Sequence, residues 1–201
     1  MNLCFYTSSS KKYSYAETIF SGNTNTNTNT NINLIHKSFD FKELQTEDPQ
    51  ENLLFKLNQI PHVPSSCVFI EDSTFHIDAL NGFPSLYTKY ILSSLGVQGI
   101  INLLAGKDNR KCYFINHLAL RTENNKVVFF SGLTRGLSIS HSLLEHSNET
   151  GWSDLWQILK VTDDGSFYCQ LTEEHRNLFN QQNSNTDAYQ LLRDHLTEIA
   201  L

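Results

Sequence analysis

Apolar and polar residues follow two different spacings along the chain, and each spacing predicts one kind of element. Short apolar runs bounded by polar turns predict strands, and these cover residues 2–7, 32–41, 68–72, 110–120 and 126–131. Apolar positions that recur at helical spacing predict helices, and these cover residues 13–20, 51–59, 84–95, 97–106 and 187–201. Strands that alternate with helices indicate an α/β fold. A chain of 201 residues is long enough for one such domain.

The densest signal lies near the middle of the chain. The apolar run 68–70 is followed at once by Glu71 and Asp72, so we predict a strand that ends on two adjacent acids. Open α/β folds place their ligand sites at such strand ends. Pro84 suits the first position of the helix that follows, and we expect this helix to end at Gly96. A solvated strand end or a turn cap is the alternative interpretation of the acid pair.

A loop of small and polar residues, Thr7–Lys12, separates the first predicted strand from the first helix. Backbone N–H groups at the start of a helix, together with the helix dipole, bind phosphate groups. The loop is therefore a candidate phosphate-binding site. The alternative is an ordinary Ser/Thr helix cap.

Residues 21–31 are of low complexity, with the sequence SGNTNTNTNTN. Alternating Asn and Thr offer no apolar surface that could offset the entropy lost on ordering. We therefore expect an exposed insertion without a catalytic role.

The composition and charge limit the classes of molecule that the protein is expected to bind. With 15 basic and 21 acidic residues the formal net charge is −6, which argues against a general nucleic-acid or membrane surface. A nucleotide is still compatible with this charge, because it requires only a few local cations and a metal. The chain has no apolar run long enough to span a membrane and no apolar signal core at its N-terminus.

The four cysteines, Cys4, Cys67, Cys112 and Cys169, are far apart and form no C-x-x-C motif. Such spacing is typical of buried thiols in a reducing compartment, and it does not favour a disulfide framework or a zinc site. We therefore expect a cytoplasmic protein.

The acid pair belongs to a longer pattern that resembles a known family. Residues 71–73 and 78–84, together with Tyr87 and Lys89, are similar to the signature "EDTGL…DALNGFPG-x-Y" of the inosine triphosphate pyrophosphatase (Ham1/RdgB) family. Members of that family hydrolyse non-canonical purine nucleoside triphosphates, such as ITP, XTP and dITP, to the monophosphate and pyrophosphate. The resemblance implies the same activity for this chain.

The N-terminal part of the chain resembles the family as well. Thr7 and Lys12 match a first-loop pattern T-x-N-x-x-K, and Glu43 begins a segment similar to "E-x-Q-G-x-P", with one extra residue before the proline. The resemblance places Glu43 on the second strand, facing Asp72 across a cleft. Lys56 lies near the position of a phosphate-facing lysine of the family.

Toward the C-terminus the resemblance is weaker. Residues 167–177 are similar to "F-A-E-L-x-x-E-x-K-N", with Arg176 in place of the lysine. Trp152 stands where the family has an aromatic residue that stacks near the base. The position of the family's cleft aspartate holds Leu155, and Asp154 lies one residue earlier. Either a local shift brings Asp154 into place or this contact is lost.

Three further features depart from the family pattern. Ser9 replaces an asparagine of the first loop, and Tyr15 replaces a glutamate of the first helix. The Ser-His-Arg element, which in the family reads the 6-keto group of the purine, is absent. Because the acids and lysines are kept while the base-reading residues change, we expect altered substrate choice rather than loss of the chemistry.

The resemblance implies an elongated, mixed-sheet α/β body with two lobes and a central cleft, the ITPase-like (anticodon-like/Maf–Ham1) fold, formed by residues 1–201 as a single domain. It also implies a Mg²⁺ site and a homodimer. The expected metal ligands are Glu43, Asp72 and Glu71, and Asp72 is the expected catalytic residue. The residues expected to bind phosphate or other parts of the substrate are Thr7, Ser8, Ser9, Ser10, Lys12, Lys56, Ser73, Phe83, Ser85, Trp152, Asp154 and Arg176.

The function predicted from the sequence is therefore that of a Mg²⁺-dependent pyrophosphohydrolase whose partner is a nucleoside triphosphate. The alternative is a catalytically impaired family member that acts as a nucleotide-binding or dimeric interaction protein. Release of pyrophosphate from ITP or XTP distinguishes the two.

Overall fold

The computed structural model describes residues 1–21, 32–61, 65–144, 153–163, 165–183 and 186–199. Its strands are β1 Asn2–Tyr6, β2 Asn33–Lys37, β3 Cys67–Ile77, β4 Pro84–Ser85, β5 Lys111–Arg121, β6 Val127–Ile139 and β7 Leu159–Val161. Its α-helices are α1 Ser10–Phe20, α2 Pro49–Leu57, α3 Thr88–Leu103, α4 Glu173–Asn183 and α5 Ala188–Ile199. The predicted insertion at 21–31 lies, apart from Ser21, outside the described residues.

The strands of the described residues form a seven-stranded mixed sheet. The order is β2-β1-β3-β5-β6-β7, and β4 pairs with β3 outside this path. β1 runs parallel to both β2 and β3, with Cys4 opposite Ile35 on one side and Val68 on the other. β4 and β7 run antiparallel to β3 and β6 respectively. The predicted α/β class with a mixed sheet is confirmed.

The chain folds into two compact units. The first contains residues 1–72, 116–132 and 186–201, and the second contains residues 73–115 and 133–185. The first unit includes β1, β2, α1, α2 and α5, and the second includes α3, α4 and β7.

Side chains of β1 and β3 alternate between two apolar layers of the first unit, because neighbouring residues on a strand point to opposite faces. One layer joins these strands to α1 and α5 through Leu3, Phe5, Phe69, Ala16, Tyr189 and Leu192. The other layer joins them to α2 through Cys4, Val68, Ile70, Leu53 and Leu57. Burial of each large apolar side chain stabilises the fold by about 1.5–3 kcal/mol. The two layers fix α1 and α2 on opposite faces of the same strands.

β3 is longer than the sequence predicted. It runs from Cys67 to Ile77, so Glu71 and Asp72 lie in its middle rather than at its end. Charged residues are typical of strand ends, but here the apolar alternation resumes at Phe75 and Ile77, which are buried in the core of the second unit. The burial of these later residues keeps the strand extended past the two acids.

The helix predicted from Pro84 begins later in the structure. Pro84 lies in β4, where it pairs with His76 of β3, and α3 begins at Thr88. A short edge strand accepts proline because it needs no N–H donor on its solvent side. The predicted stop at Gly96 is confirmed as a break inside α3, where φ is 64° and ψ is −176°. Glycine adopts this left-handed region without a Cβ penalty, and the helical backbone resumes up to Leu103.

The core of the second unit surrounds the later half of β3 and the second half of α3. Its buried members include Phe75, Ile77, Ile100, Leu104, Ile139 and Ile158. All four cysteines of the chain are buried thiols, as predicted. Among the helices of the described ranges, none has the length and apolar character that crossing a bilayer requires.

Candidate functional site

The middle of β3 extends beyond the end of its neighbour β1. Phe5 pairs with Phe69, and β1 ends one residue later. Glu71 and Asp72 therefore lie past the carboxyl end of β1, beside the loop that leads into α1. Because side chains alternate along a strand, Glu71 continues the face of Phe69 toward α1, and Asp72 continues the face of Ile70 toward α2.

On the α1 face, Glu71 forms an ion pair with Lys12 in the first turn of that helix. The Glu71 side chain is almost fully buried, with 2% of its surface exposed, whereas about a third of the Lys12 side chain is exposed. A buried carboxylate requires a partner of opposite charge. Lys12 is thereby held at the loop, with part of its surface open to solvent.

The loop before α1 is built by hydroxyl groups. The Thr7 Oγ1 atom accepts a hydrogen bond from the Ser9 N–H at 3.1 Å. Ser9 is the N-cap of α1, and its Oγ atom accepts from the Lys12 N–H at 3.3 Å. Ser8 and Ser10 are exposed. The loop therefore combines an ordinary helix cap with exposed positions at a helix N-terminus, where phosphate groups bind.

Several carboxylates act on Lys12. Burial lowers its pKa, but the charge of Glu71, the hydrogen bond that Lys12 donates to Glu71, and the charges of Asp72 and Glu43 outweigh burial. The pKa of Lys12 is therefore raised above the ordinary lysine value. Lys12 stays cationic throughout the neutral range, which is the state that binds phosphate.

The raised pKa of Lys12 makes part of the stability depend on pH. Lys12 holds its proton more tightly in the folded than in the unfolded chain, so its contribution is complete below the ordinary value of 10.5 and is lost as pH rises through the folded value. We expect the free energies of unfolding of the wild type and of Lys12→Met to differ by a constant amount from about pH 7 to about pH 9.5 and to converge at higher pH. Urea denaturation at each pH measures this difference, with the exposed Lys42→Met as the matched control. A difference that stays constant to about pH 11.5 would contradict the linkage.

On the α2 face, Asp72 contacts two side chains of that helix. Lys56 Nζ lies 2.9 Å from Asp72 Oδ2 and 3.3 Å from Glu43 Oε1, so one ammonium group bridges two carboxylates. Asn52 Nδ2 donates a hydrogen bond of 2.7 Å to the same Asp72 oxygen. The Lys56 side chain is buried, whereas the Asp72 and Glu43 side chains keep 20% and 32% of their surface exposed. The cluster therefore joins a buried cation to two accessible carboxylates.

The local sequence explains why α2 presents these side chains. Asp48 caps the helix by accepting from the Gln50 N–H at 2.8 Å, and Pro49 occupies the first turn, where its missing N–H has no cost. Asn52 and Lys56 are four residues apart and share one helix face. Both are therefore carried toward Asp72 by a helix whose leucines anchor it to the sheet.

Asn52 is a residue of this cluster that the sequence prediction missed. A polar residue within a helix usually faces solvent, but Asn52 is only 3% exposed. Its spacing of four residues from the candidate Lys56 is the signal that could have identified it.

Glu43 does not lie on the second strand, contrary to the prediction. It lies in the irregular segment between β2 and α2. Side chains of α2 and of the turn after it, rather than a strand ladder, hold the backbone here: Leu44 N–H donates to Asn52 Oδ1 at 3.1 Å, and Lys42 N–H donates to Gln59 Oε1 at 2.9 Å. The Glu43 carboxylate reaches the site through its contact with Lys56.

The three acids expected to bind a metal divide between the two faces. Glu71 pairs with Lys12 toward α1, and Asp72 shares Lys56 with Glu43 toward α2. Within the described ranges, His, Cys, Asp and Glu side chains form no group of three or more in metal-binding geometry. The assignment of these acids to a metal therefore stays a prediction.

The remaining predicted substrate residues belong to the second unit. Ser73 lies on β3, and Ser85 lies in β4 with a φ of 52°. Phe83 is 39% exposed, and Asp154 is exposed at the start of a 3₁₀ turn. Trp152 lies outside the described residues. Phe83 and Asp154 are thus both accessible from solvent.

Arg176 is oriented within the second unit by an aromatic ring. Its guanidinium carbon lies 5.6 Å from the centre of the Trp156 ring, and its Nη2 atom donates to the Leu171 carbonyl at 3.2 Å. A planar guanidinium stacks on an aromatic face in a way that an ammonium does not. Arginine in the lysine position therefore suits the aromatic partner that this chain provides.

Tyr15, another departure from the family pattern, links α1 to α5 in the first unit. Its hydroxyl donates a hydrogen bond of 2.6 Å to Asp187 Oδ2, and its ring packs edge-on against Tyr189 with 5.2 Å between centroids. Asp187 Oδ1 in turn accepts from the backbone N–H groups of Tyr189 and Gln190 at the start of α5. Tyr15 thus contributes to the packing of the helix pair.

Comparison with known sequences agrees with this arrangement. The sequence profile described as the Ham1 family matches residues 3–190. An inosine triphosphate pyrophosphatase of Kluyveromyces lactis is 27% identical over 182 residues, which cover 90% of this chain and 89% of the relative. A dITP/XTP pyrophosphatase of Methanopyrus kandleri is 31% identical over 136 residues, which cover 68% of this chain and 69% of the relative.

Solved structures give the same fold. The Ham1 protein of Staphylococcus aureus superposes with a TM-score of 0.71 at 19% identity and covers 98% of both chains. A Ham1 protein of Coxiella burnetii superposes with a TM-score of 0.72 at 17% identity and covers 98% of this chain and 99% of that chain. At these identities the likeness concerns the fold alone. The sequence match, which runs from the first strand into the last helix, shows that the chain belongs to the Ham1 family.

Proposed function

We propose that the protein is a Mg²⁺-dependent nucleoside triphosphate pyrophosphohydrolase that converts ITP, XTP and dITP to the monophosphate and pyrophosphate. The observation that carries the proposal is the pair of lysines, Lys12 and Lys56, which acids hold on the two faces of one strand. The activities named for the Kluyveromyces lactis and Methanopyrus kandleri relatives support the choice of substrate.

A nucleoside triphosphate carries several negative charges, which must be balanced before a nucleophile can approach. Lys12 extends from the first turn of α1 next to residues 8–10, so its ammonium and the helix N-terminus act on the same phosphate oxygens. Lys56 supplies a second cation from α2.

Asp72 and Glu43 suit a hard divalent cation. Both provide carboxylate oxygens, both side chains are partly exposed, and both already converge on one positive charge, the ammonium of Lys56. When bound there, Mg²⁺ would supply neutralisation of phosphate charge and polarisation of a water molecule. Glu71 supports the site by holding Lys12 on the other face.

Hydrolysis also requires a water molecule to lose a proton as its oxygen attacks the α-phosphorus. Asp72 is the group assigned to this step, because Asn52 and Lys56 anchor its Oδ2 atom and so fix the orientation of the carboxylate. The water proton passes to the Asp72 carboxylate. The bond between the α-phosphorus and the bridging oxygen breaks, and pyrophosphate leaves.

A homodimer in the cytoplasm completes the proposal. Exposed apolar side chains on α3, among them Tyr90 and Leu95, are the kind of surface that a second copy covers. The four buried thiols fit a reducing compartment.

The test is pyrophosphate release by the purified protein with Mg²⁺ and, separately, ITP, XTP, dITP, ATP, GTP and the pyrimidine triphosphates. We expect release from ITP and XTP well above release from ATP, because the two relatives are named for inosine triphosphate and for dITP and XTP. Release from a different nucleotide would show that the substrate is wrongly assigned, while the proposed pyrophosphohydrolase reaction would still hold. Binding of nucleotides without any release would support the impaired family member instead.

A further inference from the structure

Asn52 joins the two parts of the α2 side of the site. Its side-chain amide makes two hydrogen bonds: Nδ2 donates to Asp72 Oδ2 at 2.7 Å, and Oδ1 accepts from the Leu44 N–H at 3.1 Å. Leu44 is the neighbour of Glu43, so one amide connects the backbone beside one carboxylate to the other carboxylate itself. We propose that Asn52 is a positioning residue that sets the placement of Asp72 and of the Glu43 segment relative to each other, an inference that rests on the proposed function.

The chemistry of the position requires a primary amide of this length. An amide is the side chain that donates from one atom and accepts at another in a planar group. Aspartate keeps the acceptor for Leu44 but loses the donor for Asp72, and leucine loses both. Glutamine is one methylene longer and displaces one of the two bonds.

Asn52 is buried, so its side chain could serve the stability of the fold or the positioning of the site. A buried polar group contributes little net stability even when both of its bonds are made. Its neighbours in the α2 layer, Leu53 and Leu57, are fully buried and apolar. A leucine at position 52 would fill a similar space but would remove the bonds to the Leu44 N–H and to Asp72 Oδ2. The amide is therefore explained by the bonds that it makes to Asp72 and Leu44.

The two partners of Asp72 Oδ2 have different roles in this arrangement. Lys56 Nζ lies 2.9 Å from that oxygen and belongs to a side chain whose charge also attracts phosphate. When a phosphate draws Lys56 away, Asn52 still holds the carboxylate. The orientation of Asp72 then persists through substrate binding, which a lysine contact alone would not achieve.

The experiment compares Asn52→Leu and Asn52→Asp with Asn58→Leu, in which the exposed asparagine at the C-cap of the same helix is changed as the matched control. With ITP and Mg²⁺, we expect kcat to fall ~10- to 100-fold in both Asn52 variants, with KM within ~3-fold and the Tm within a few degrees of the wild type. Asn58→Leu should keep the wild-type kcat. A raised KM at unchanged kcat, or a kcat loss matched by a large fall in Tm, would overturn the positioning role.

A second readout does not depend on turnover. Calorimetric titration with Mn²⁺ in the presence of inorganic pyrophosphate is expected to show ~10-fold weaker metal binding in Asn52→Leu than in Asn58→Leu. Equal affinity in the two variants would overturn the proposal. If the wild type releases no pyrophosphate from any nucleotide, the proposed function fails, and this titration alone decides the role of Asn52.

Discussion

Replacing Asp72 by asparagine is expected to lower kcat for ITP at least ~100-fold, which is the typical contribution of a general base. The substitution preserves the shape of the side chain and leaves an oxygen for Lys56, but it removes the carboxylate that accepts the proton of the attacking water. Pyrophosphate release under saturating ITP and Mg²⁺ measures the loss.

The control is Asp40→Asn, which makes the same change at an exposed position of the first unit. It is expected to keep the wild-type kcat, and both variants should keep the wild-type Tm. Near-normal turnover by Asp72→Asn would remove Asp72 from the proton-accepting step.

The largest expected effect on stability comes from Phe69→Ala. Phe69 is fully buried on β3, stacked against Phe5 with 4.2 Å between ring centroids and edge-on to Tyr189 at 6.3 Å. Truncation of such a ring removes its burial and leaves a cavity, so the free energy of unfolding should fall by about 3–5 kcal/mol. Urea denaturation of the two proteins measures the difference.

Phe55→Ala provides the matched comparison, because the Phe55 ring on α2 is 38% exposed. Its cost should stay within about 0.5 kcal/mol. If Phe69→Ala destabilises the protein by no more than Phe55→Ala, the aromatic packing between β3 and α5 does not stabilise the fold to the expected extent.

The sequence predicted those helices whose caps or apolar faces are formed by residues of the same segment. The helix predicted at 51–59 forms as Pro49–Leu57, because Asp48 and Pro49 mark its start in a way that is independent of distant contacts. The helix predicted at 187–201 forms as Ala188–Ile199, where a wide apolar stripe faces the core. In these two segments, the local sequence is sufficient to predict the helix.

Other elements depend on partners that are distant in sequence. β3 continues past Glu71 because Phe75 is buried in the core of the second unit. The sequence next to the two acids does not indicate this burial. Pro84 joins a strand because His76 lies opposite, although its sequence context suits a helix start equally well. Tertiary pairing decides both cases.

The candidate site shows the same division. Its charged residues could be predicted, because Lys12, Lys56 and Asp72 stand at positions that resemble the family pattern. The partner of each could not, because pairing depends on which face of β3 each acid takes. Asn52 stayed unnoticed because an amide carries no charge; its four-residue spacing from Lys56 was the available signal, and its burial against Asp72 shows its place in the site.

The position of the two acids on consecutive residues of β3 also bears on how the family can diverge. A single peptide bond separates Glu71 from Asp72, yet one belongs to the layer of α1 and the other to the layer of α2. Two of the departures from the family pattern, Ser9 and Tyr15, lie on the α1 side. A substitution on one face of β3 therefore changes the contacts of one layer directly and leaves the ion pairs of the other layer in place. The strand thereby separates the surroundings of Lys12 from those of Lys56.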